Sequence, residues 1–590
     1  MNRNTELHFG HTPHIDLKRS KFDMSHSNKT TFNTGDIIPI FCDTDILPGD
    51  TVQVDLASLV RMATPIYPIM DNLYLDTYWF YVPHRLVWEH WQEFWGENED
   101  PWARTTQYEV PQIKAPEGGW EVGTVAEYIG LPIGVQHEDV DVFAFRSYVK
   151  IWNDFFRDQN LKQAAHMYKD DTTRQGVNDG DYVLNAELGG KPLKAAKLHD
   201  FYTSCLPSPQ KGPAVTIPIG SDSAPVTGTF TTAAKSVAVG GQTFSDDGIR
   251  LMATQNISSW QNNQVAPLVV RISNGEPTIG VGITSAATEQ ATSYTNSTDI
   301  GINPRISGTT EQKNVEVGGQ TQGTMNLVAD LSSATASSIN ALRMAFAIQK
   351  YYENAGLHGT RYIEYIRSVF GVTSSDARMQ RAEYLGGKRI PLNIDQVLQT
   401  SSTDSTSPQG NTAGFSCTFD KHSAFTKSFE EHGTLMCLAV VRTEHTYQDG
   451  IPKMFLRKTW EQFYNPFFAN LGEQLVENQQ LYAQAKGTEA NKEAFGYQEA
   501  WAEYRYKENR VSGYMRSKAN GSLDVWHFAD DYDTLPTLGT TWIDEPYENV
   551  DRTIAVTSQL NHQYIADFYF KMYYTRPMPV YSVPGLIDHV

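Results

Sequence analysis

The sequence predicts a mainly β protein: an antiparallel sandwich of the jelly-roll kind, with long loop insertions and several peripheral helices. Three stretches predict it. Leu73 to Val82 (LYLDTYWFYV) is dense in aromatic and branched residues and lacks glycine. It is mostly apolar at both parities, so it reads as a strand covered on both sides. Thr434 to Arg442 (TLMCLAVVR) is a continuous apolar run, the pattern of a buried strand. Near the end of the chain Tyr564, Ala566, Phe568, Phe570, Met572 and Tyr574 alternate with positions that include Asp567 and Lys571. Strands near both ends, with helices and loops between them, predict a sandwich whose first and last strands meet, as a jelly roll requires.

Taken in order, residues 1–34 are polar and short of core formers, which predicts an arm draped on the surface. His8, His11 and His14 raise a metal clip, but Pro13 breaks any helix that would align them. Lys18, Arg19 and Lys21 raise a nucleic-acid contact, diluted by Asp16 and Asp23. After the turn signal Pro48-Gly49-Asp50, the residues Val52, Val54, Leu56 and Val60 alternate with Gln53, Asp55 and Leu59, a half-buried strand. Pro83 ends the Leu73 strand. Val87, Trp88, Trp91, Phe94 and Trp95 then recur at helical spacing up to Gly96. Residues 97–140 are loop-rich. Within 145–157, Tyr148, Ile151, Trp152, Phe155 and Phe156 share one helical face, expected to pack in a core or an interface.

The composition breaks near Pro207. From Pro213 to Asp330 the chain is rich in Ser, Thr, Gly, Asn and Gln and has only four aromatics, Phe230, Phe244, Trp260 and Tyr294. It is too long and too β-prone for a linker, so an exposed β-rich insertion is expected, with strands near Pro267–Ile272 and Thr278–Ile283. Helices are expected at 333–353, with Ile339, Leu342, Ala345 and Phe346 on one face, and from Thr360 to Phe370, closed by Gly371. A polar loop at 400–414 and a helical, aromatic-rich region at 459–484 follow.

Of the 590 residues, 48 are basic and 68 acidic, a formal charge of −20, while 40% are hydrophobic. That hydrophobic content excludes disorder as the main state. The charge means that any nucleic-acid role needs a local basic face or a basic partner. Cys42, Cys205, Cys417 and Cys437 are widely spaced with no CxxC pair, which argues against a disulfide scaffold and a zinc site. No apolar h-region opens the sequence and no window approaches 18 consecutive apolar residues, so a product made in the cytoplasm, with no membrane span, is expected.

Catalytic motifs are missing. There is no GxxxxGK[ST], strand-linked GxGxxG, HExxH or GxSxG. The string from Gly414 through Ser416 to Thr418 lacks the second glycine of a nucleophile elbow, and Tyr384 to Lys388 has no Ser or Thr after its lysine. Acidic groups occur at Asp43/Asp45/Asp50, Glu97/Glu99/Asp100 and Asp530/Asp531/Asp533. Such carboxylates could hydrolyse a glycosidic bond or hold calcium, but solvated loops are the plainer reading. Neither a cofactor, a metal nor a catalytic residue is assigned, and a non-enzyme is expected.

Long strings carry a resemblance. YWFYVPHRLVWEHWQEFWGE (78–97), SYVKIWNDFFRDQNL (147–161), DFYTSCLPSPQKG (200–212), GTRYIEYIRSVFGVTSSDARMQRAEYLGG (359–387), QTSSTDSTSPQGNTAGF (399–415), FGYQEAWAEYRYKENRVSG (495–513) and SLDVWHFADDYDTLPTL (522–538) resemble the major capsid proteins of microviruses, nearest the gokushovirus branch. The likeness runs in order over nearly the whole chain, and only 213–330 matches in position and character alone. It implies a viral jelly roll split into 35–206 and 331–590, an N-terminal arm at 1–34, and a 207–330 protrusion at three-fold axes used in host attachment. It also implies a homo-oligomeric T=1 icosahedral shell in the virion, formed in the host cytoplasm. Expected partners are encapsidated single-stranded DNA, a small basic DNA-packaging protein, scaffolding and other phage proteins, and a host-surface receptor. The alternative is a glycan-acting or glycan-binding β-sandwich using an acidic cluster. Residues expected in core or inter-subunit packing are Trp79, Trp88, Trp91, Trp95, Trp152 and Phe156, and those expected to face nucleic acid are Lys18, Arg19 and Lys21.

Overall fold

The computed structural model describes residues 18–581 except 98–107, 180, 214, 216–225, 231–235, 240–241, 246–267, 274–275, 282–298, 303–324, 330–338, 359–360, 374, 377–378, 405–407, 486 and 556–560. By backbone contacts the chain forms two units, residues 1–211 with 352–590, and residues 212–351.

The first unit is built on eight antiparallel framework strands: β1 (His26–Phe32), β2 (Ile38–Ile46), β3 (Thr51–Met62), β4 (Leu73–Pro83), β5 (Glu383–Pro391), β6 (Thr418–Ser428), β7 (Gly433–Thr443) and β8 (Tyr564–Arg576). They form two sheets in the orders β1-β8-β3-β6 and β2-β7-β4-β5. Consecutive strands β1–β4 alternate between the sheets, and the last strand β8 lies between β1 and β3. That is jelly-roll connectivity. An added strand, Ser20–Asp23, also pairs with β8. The arm expected over 1–34 is therefore sheet from Ser20 onward, because its Ser, Thr and Lys residues suit an edge strand with one wet face. The histidines His8, His11 and His14 lie outside the described residues.

Side-chain parity explains the layers. In β3, Val52, Val54, Leu56, Val60 and Met62 point inward, and in β8 the even positions from Tyr564 to Tyr574 do the same. They meet Leu73, Leu75, Trp79 and Tyr81 of β4 and Leu435, Cys437, Ala439 and Val441 of β7 in the core between the sheets. Trp79 is fully buried there, its ring 5.4 Å from Phe425, 5.5 Å from Phe41 and 5.8 Å from Phe570. The other parity of β4 and β7 (Phe80, Val82, Met436, Leu438, Val440) enters a second core, covered by helix α1 (Phe143–Ile151) and a π turn, Trp152–Phe156. Tyr148 of α1 donates its hydroxyl to the Ile37 carbonyl at 2.7 Å and accepts the Leu193 N–H at 2.8 Å. A two-sided apolar strand needs two cores, and both are present.

Several local expectations change. The helix expected at Val87–Gly96 is two short pieces, a 3-10 turn at His84–Leu86 and a single helical turn at Trp91–Phe94. Each aromatic there finds a different partner, so no continuous helical face forms. The helix expected at 459–484 is instead a series of 3-10 turns at Trp460–Gln462 and Pro466–Phe468, then a strand and a short helix. Pro466 removes a backbone donor and blocks continuation. The polar 400–414 loop ends in a hairpin strand, Thr412–Ser416, paired with Ile394–Leu398. Tyr362–Tyr365 and the π turn Ile366–Phe370 form the second expected helix, with Gly371 left-handed (φ +68°) as its cap. Gly49 has φ +90° in the predicted Pro48-Gly49-Asp50 turn.

In the unit 212–351 the backbone pairs as Val226–Phe230 with Met325–Ala329, Ser236–Val239 with Gln242–Ser245, and Leu268–Ser273 with both Glu276–Val281 and Asp299–Ile302. The β-rich insertion expected from composition is thus seen as strand pairs. Helix α2 spans Ile339–His358, somewhat beyond the expected 333–353, with Leu342 and Ala345 half-buried but Phe346 exposed.

Candidate assembly surfaces

Two aromatic-rich regions stand out. The first ends the stretch that leaves β4. Trp88 is buried, its indole N–H donating to Asp171 at 2.6 Å, and Trp91 packs edge-on against His84 and Phe143. Trp95 is 59% exposed and stacks on His432 at 4.8 Å. Trp152 is buried, with its indole N–H on the Lys194 carbonyl, and Phe156 is half-buried against Tyr78 and Phe80. The six expected packing residues therefore divide: Trp79, Trp88 and Trp152 lie in the chain's own cores, Trp91 and Phe156 at their margin, and Trp95 on the surface.

The second is a ledge over 451–471. Phe455, Trp460, Phe463, Tyr464 and Phe467 are all exposed, Phe467 by 93%. The ledge is held rather than loose. Arg457 pairs with Glu503 at 3.0 Å and lies over the rings of Phe463 and Tyr504 at 5.4 and 4.5 Å. The Asn465 side chain caps the Phe467 N–H at 3.1 Å. Trp501 adopts a left-handed backbone (φ +65°) and donates its indole N–H to the Phe468 carbonyl at 2.8 Å. That conformation carries strain of order 1–3 kcal/mol, offset here by burial of the indole. An exposed apolar surface of this kind is a candidate partner-binding face.

The acidic clusters are tied into the structure. Asp50, read from sequence as a solvated loop residue, is buried, accepts the Leu47 N–H and lies 3.1 Å from Arg576, and Asp43 accepts the Tyr574 hydroxyl at 2.8 Å. Asp530 is also buried, beside His445 (3.1 Å), Lys197 (3.5 Å) and the Asn549 amide. The other imidazole nitrogen of His445 lies 3.1 Å from Glu545. Burial alone would lower the His445 pKa, but Asp530 and Glu545 outweigh it and push it up to about 10. The Asp530 carboxyl is held well below its usual range: burial opposes this, and Lys197 and His445 overcome it. The sequence did not signal this hub, because its members come from separate segments of the chain, with Lys197 more than 300 residues from Asp530. Glu99 and Asp100 fall outside the described residues. Among the described residues no group of three His, Cys, Asp or Glu side chains is arranged to hold a metal ion. Ser416 lies in a strand rather than a strained elbow, and Lys388 pairs with Asp420 at 2.6 Å. Cys205 and Cys437 are buried thiols, pushed up by burial. Among the described residues no helix is long and apolar enough to cross a membrane.

Lys18, Arg19 and Lys21 are exposed at one edge of the β1-β8-β3-β6 sheet, and Lys21 sits 3.9 Å over the Tyr573 ring.

Residues 11–586 match the family model described as capsid protein (F protein). The chain is 41% identical to capsid protein VP1 of Spiroplasma virus 4, over 97% of this chain and 96% of that one. It is 38% identical to capsid protein VP1 of Bdellovibrio phage phiMH2K, over 99% and 98% of the two chains. With capsid protein VP1 of Chlamydia phage 1 the identity is 36%, over 98% and 97%.

Proposed function

The chain belongs to the capsid protein (F protein) family, and from that premise we propose that it assembles into a small T=1 icosahedral shell around circular single-stranded DNA. The observation that carries self-assembly is the rigid, exposed ledge of Phe455, Trp460 and Phe467, an apolar surface suited to a second copy of the chain. The charge of −20 supports a small basic packaging protein as partner, since the chain as a whole repels DNA. Scaffolding and other phage proteins act during assembly in the host cytoplasm, and the finished chain resides in the virion. The polar insertion at 207–330 serves as a protrusion at the three-fold axes and engages a host-surface receptor. Lys18, Arg19 and Lys21 face the packaged DNA.

One experiment tests both halves of this reading. The chain is produced with its phage partners, as wild type, as Trp460→Ser/Phe467→Ser, and with the tip of the insertion deleted. Electron microscopy should show closed shells for the wild type and the deletion but not for the ledge variant, and the deletion should adsorb poorly to host cells. Only monodisperse wild-type monomers would defeat the shell, and unchanged adsorption of the deletion would defeat the attachment role.

A further inference from the structure

Beyond Leu471 the ledge runs into a two-stranded antiparallel ladder, Gln474–Glu477 against Ala494–Gln498. Its register pairs Leu475 with Tyr497 and Gln474 with Gln498. One step further out, the same register sets Glu473 opposite Glu499, and like charges in that position weaken a ladder. The two glutamates also join the ladder to the ledge and to its brace. Glu473 follows Leu471 and Gly472, while Glu499 precedes Trp501, whose indole N–H holds the Phe468 carbonyl.

The charges around Glu473 leave it without a cation. One of its carboxyl oxygens is enclosed and makes no hydrogen bond among the described residues. Across the ladder, Arg505 is engaged by Glu499 at 2.6 Å. From α2, Glu353 comes so near that a Cβ on Gly472 would lie 2.8 Å from its Oε1. On the ledge, Lys453 is turned to Glu503 (3.6 Å) and to the Gln474 side chain (3.3 Å), and Arg457 is held by Glu503 as well. Cys205, packed against Gly496, is a thiol whose pKa burial pushes up. Burial, then Glu499, then Glu353 push the Glu473 pKa up to about 7.

We propose that Glu473, facing Glu499 and Glu353, is a proton-operated latch at the root of the ledge, closed while it keeps its proton and opened when the proton leaves. A protonated Glu473 can donate its O–H to a neighbouring carboxylate, which gives the carboxyl group a partner and removes one negative charge. With all three ionised, Glu473 and Glu499 repel across the end of the ladder. Parting them loosens the 466–472 segment from Trp501, a local opening that leaves the rest of the fold in place. The folded group titrates above its ordinary value of 4.5, so its stabilisation is complete below that value and is lost as pH rises through about 7. The inference rests on the proposed docking of a second copy at the ledge and supplies its regulation: mild acid favours docking.

The test follows backbone hydrogen exchange of the full-length chain, free in solution, at pH 5.5 and 7.5, with rates corrected for intrinsic chemistry. In the wild type, protection of peptides covering 466–474 and 496–503 should fall about tenfold between the two. Glu473→Gln, which keeps the shape and cannot ionise, should abolish that fall. Glu499→Gln removes the opposing charge from the other strand and should reduce it, which keeps the test open if the first variant does not fold. A fall of the same size in the wild type and both variants, or no fall in the wild type, would overturn the latch. Assembled particles are then held at the same two pH values and followed by light scattering. Wild-type particles should release about ten times more subunits at pH 7.5 than Glu473→Gln particles. A latch seen by exchange but without effect on the particles would instead overturn docking at the ledge.

Discussion

The two sheets of the sandwich have the same number of framework strands and share one core, yet they carry different sequences. In β2-β7-β4-β5 the central strand β7 is apolar at successive positions, and its residues divide between two cores. In β1-β8-β3-β6 the strands β8 and β3 alternate, with one parity buried and the other wet. The difference lies in what covers the outer face. Where α1 and the π turn lie against the sheet, water is excluded and both parities must be apolar. Where only the segment around Val122–Tyr128 touches one end of the sheet, the outward parity is free to carry charge.

The largest expected contrast comes from matched truncations of the two outer faces. Phe80→Ala, on the covered sheet, should cost about 3–5 kcal/mol, since it leaves a cavity against Phe155 and Phe156. Ile565→Ala, on the bare sheet, should fall within about 0.5 kcal/mol. Urea unfolding of the full chain measures both, and equal costs would break the comparison.

A smaller contrast separates two cross-strand ion groups. On the covered sheet Asp76 of β4 is buried, 2.7 Å from Arg389 of β5 and 2.5 Å from Arg442 of β7. Burial works to raise its pKa, but hydrogen bonding to Arg389 and the charge of Arg442 prevail and hold it below 3.8. Asp76→Asn should cost about 3 kcal/mol at pH 7, whereas Asp567→Asn, which breaks the exposed pair with Lys29, should stay within about 1 kcal/mol. The folded carboxyl titrates below the unfolded one, so its stabilisation is complete above the unfolded value near 3.8. It is lost as pH falls through the lower folded value. Acid unfolding curves of wild type and Asp76→Asn should therefore converge below about pH 4, and a gap that stayed constant would remove the arginine pairing as its cause. The smallest effect belongs to two exposed cations of the bare sheet, Arg61 and Lys421. Arg61→Gln and Lys421→Gln should each change folding stability by less than about 0.5 kcal/mol, which thermal melts of the full chain would check.

Much of the framework was legible because strand periodicity records the side of each residue that meets water. The alternation in Val52–Val60 and Tyr564–Tyr574, and the two-sided pattern of Leu73–Val82, each became a strand with the expected burial. Helical spacing misled at Val87–Trp95 and over 459–484, because aromatics spaced for a helix can equally serve a turn-rich segment whose partners come from elsewhere. Asp50 and Asp530 misled for the same reason: an acidic run looks solvated until the basic groups that join it, Arg576 for one and Lys197 with His445 for the other, are brought from distant parts of the chain.

By itself, then, the sequence determined the mainly β framework, the meeting of its first and last strands, the position of the polar insertion and the absence of known catalytic motifs. These are local patterns or direct compositional facts. Only the tertiary structure decided which tryptophans stay in the chain's own cores and that Trp95 surfaces. It also decided that Phe467 stands exposed on a braced ledge, and that Arg61, Lys421, Phe419 and Tyr569 share one bare face. Sheet pairing brings together residues more than 500 positions apart, and no local pattern encodes such neighbours.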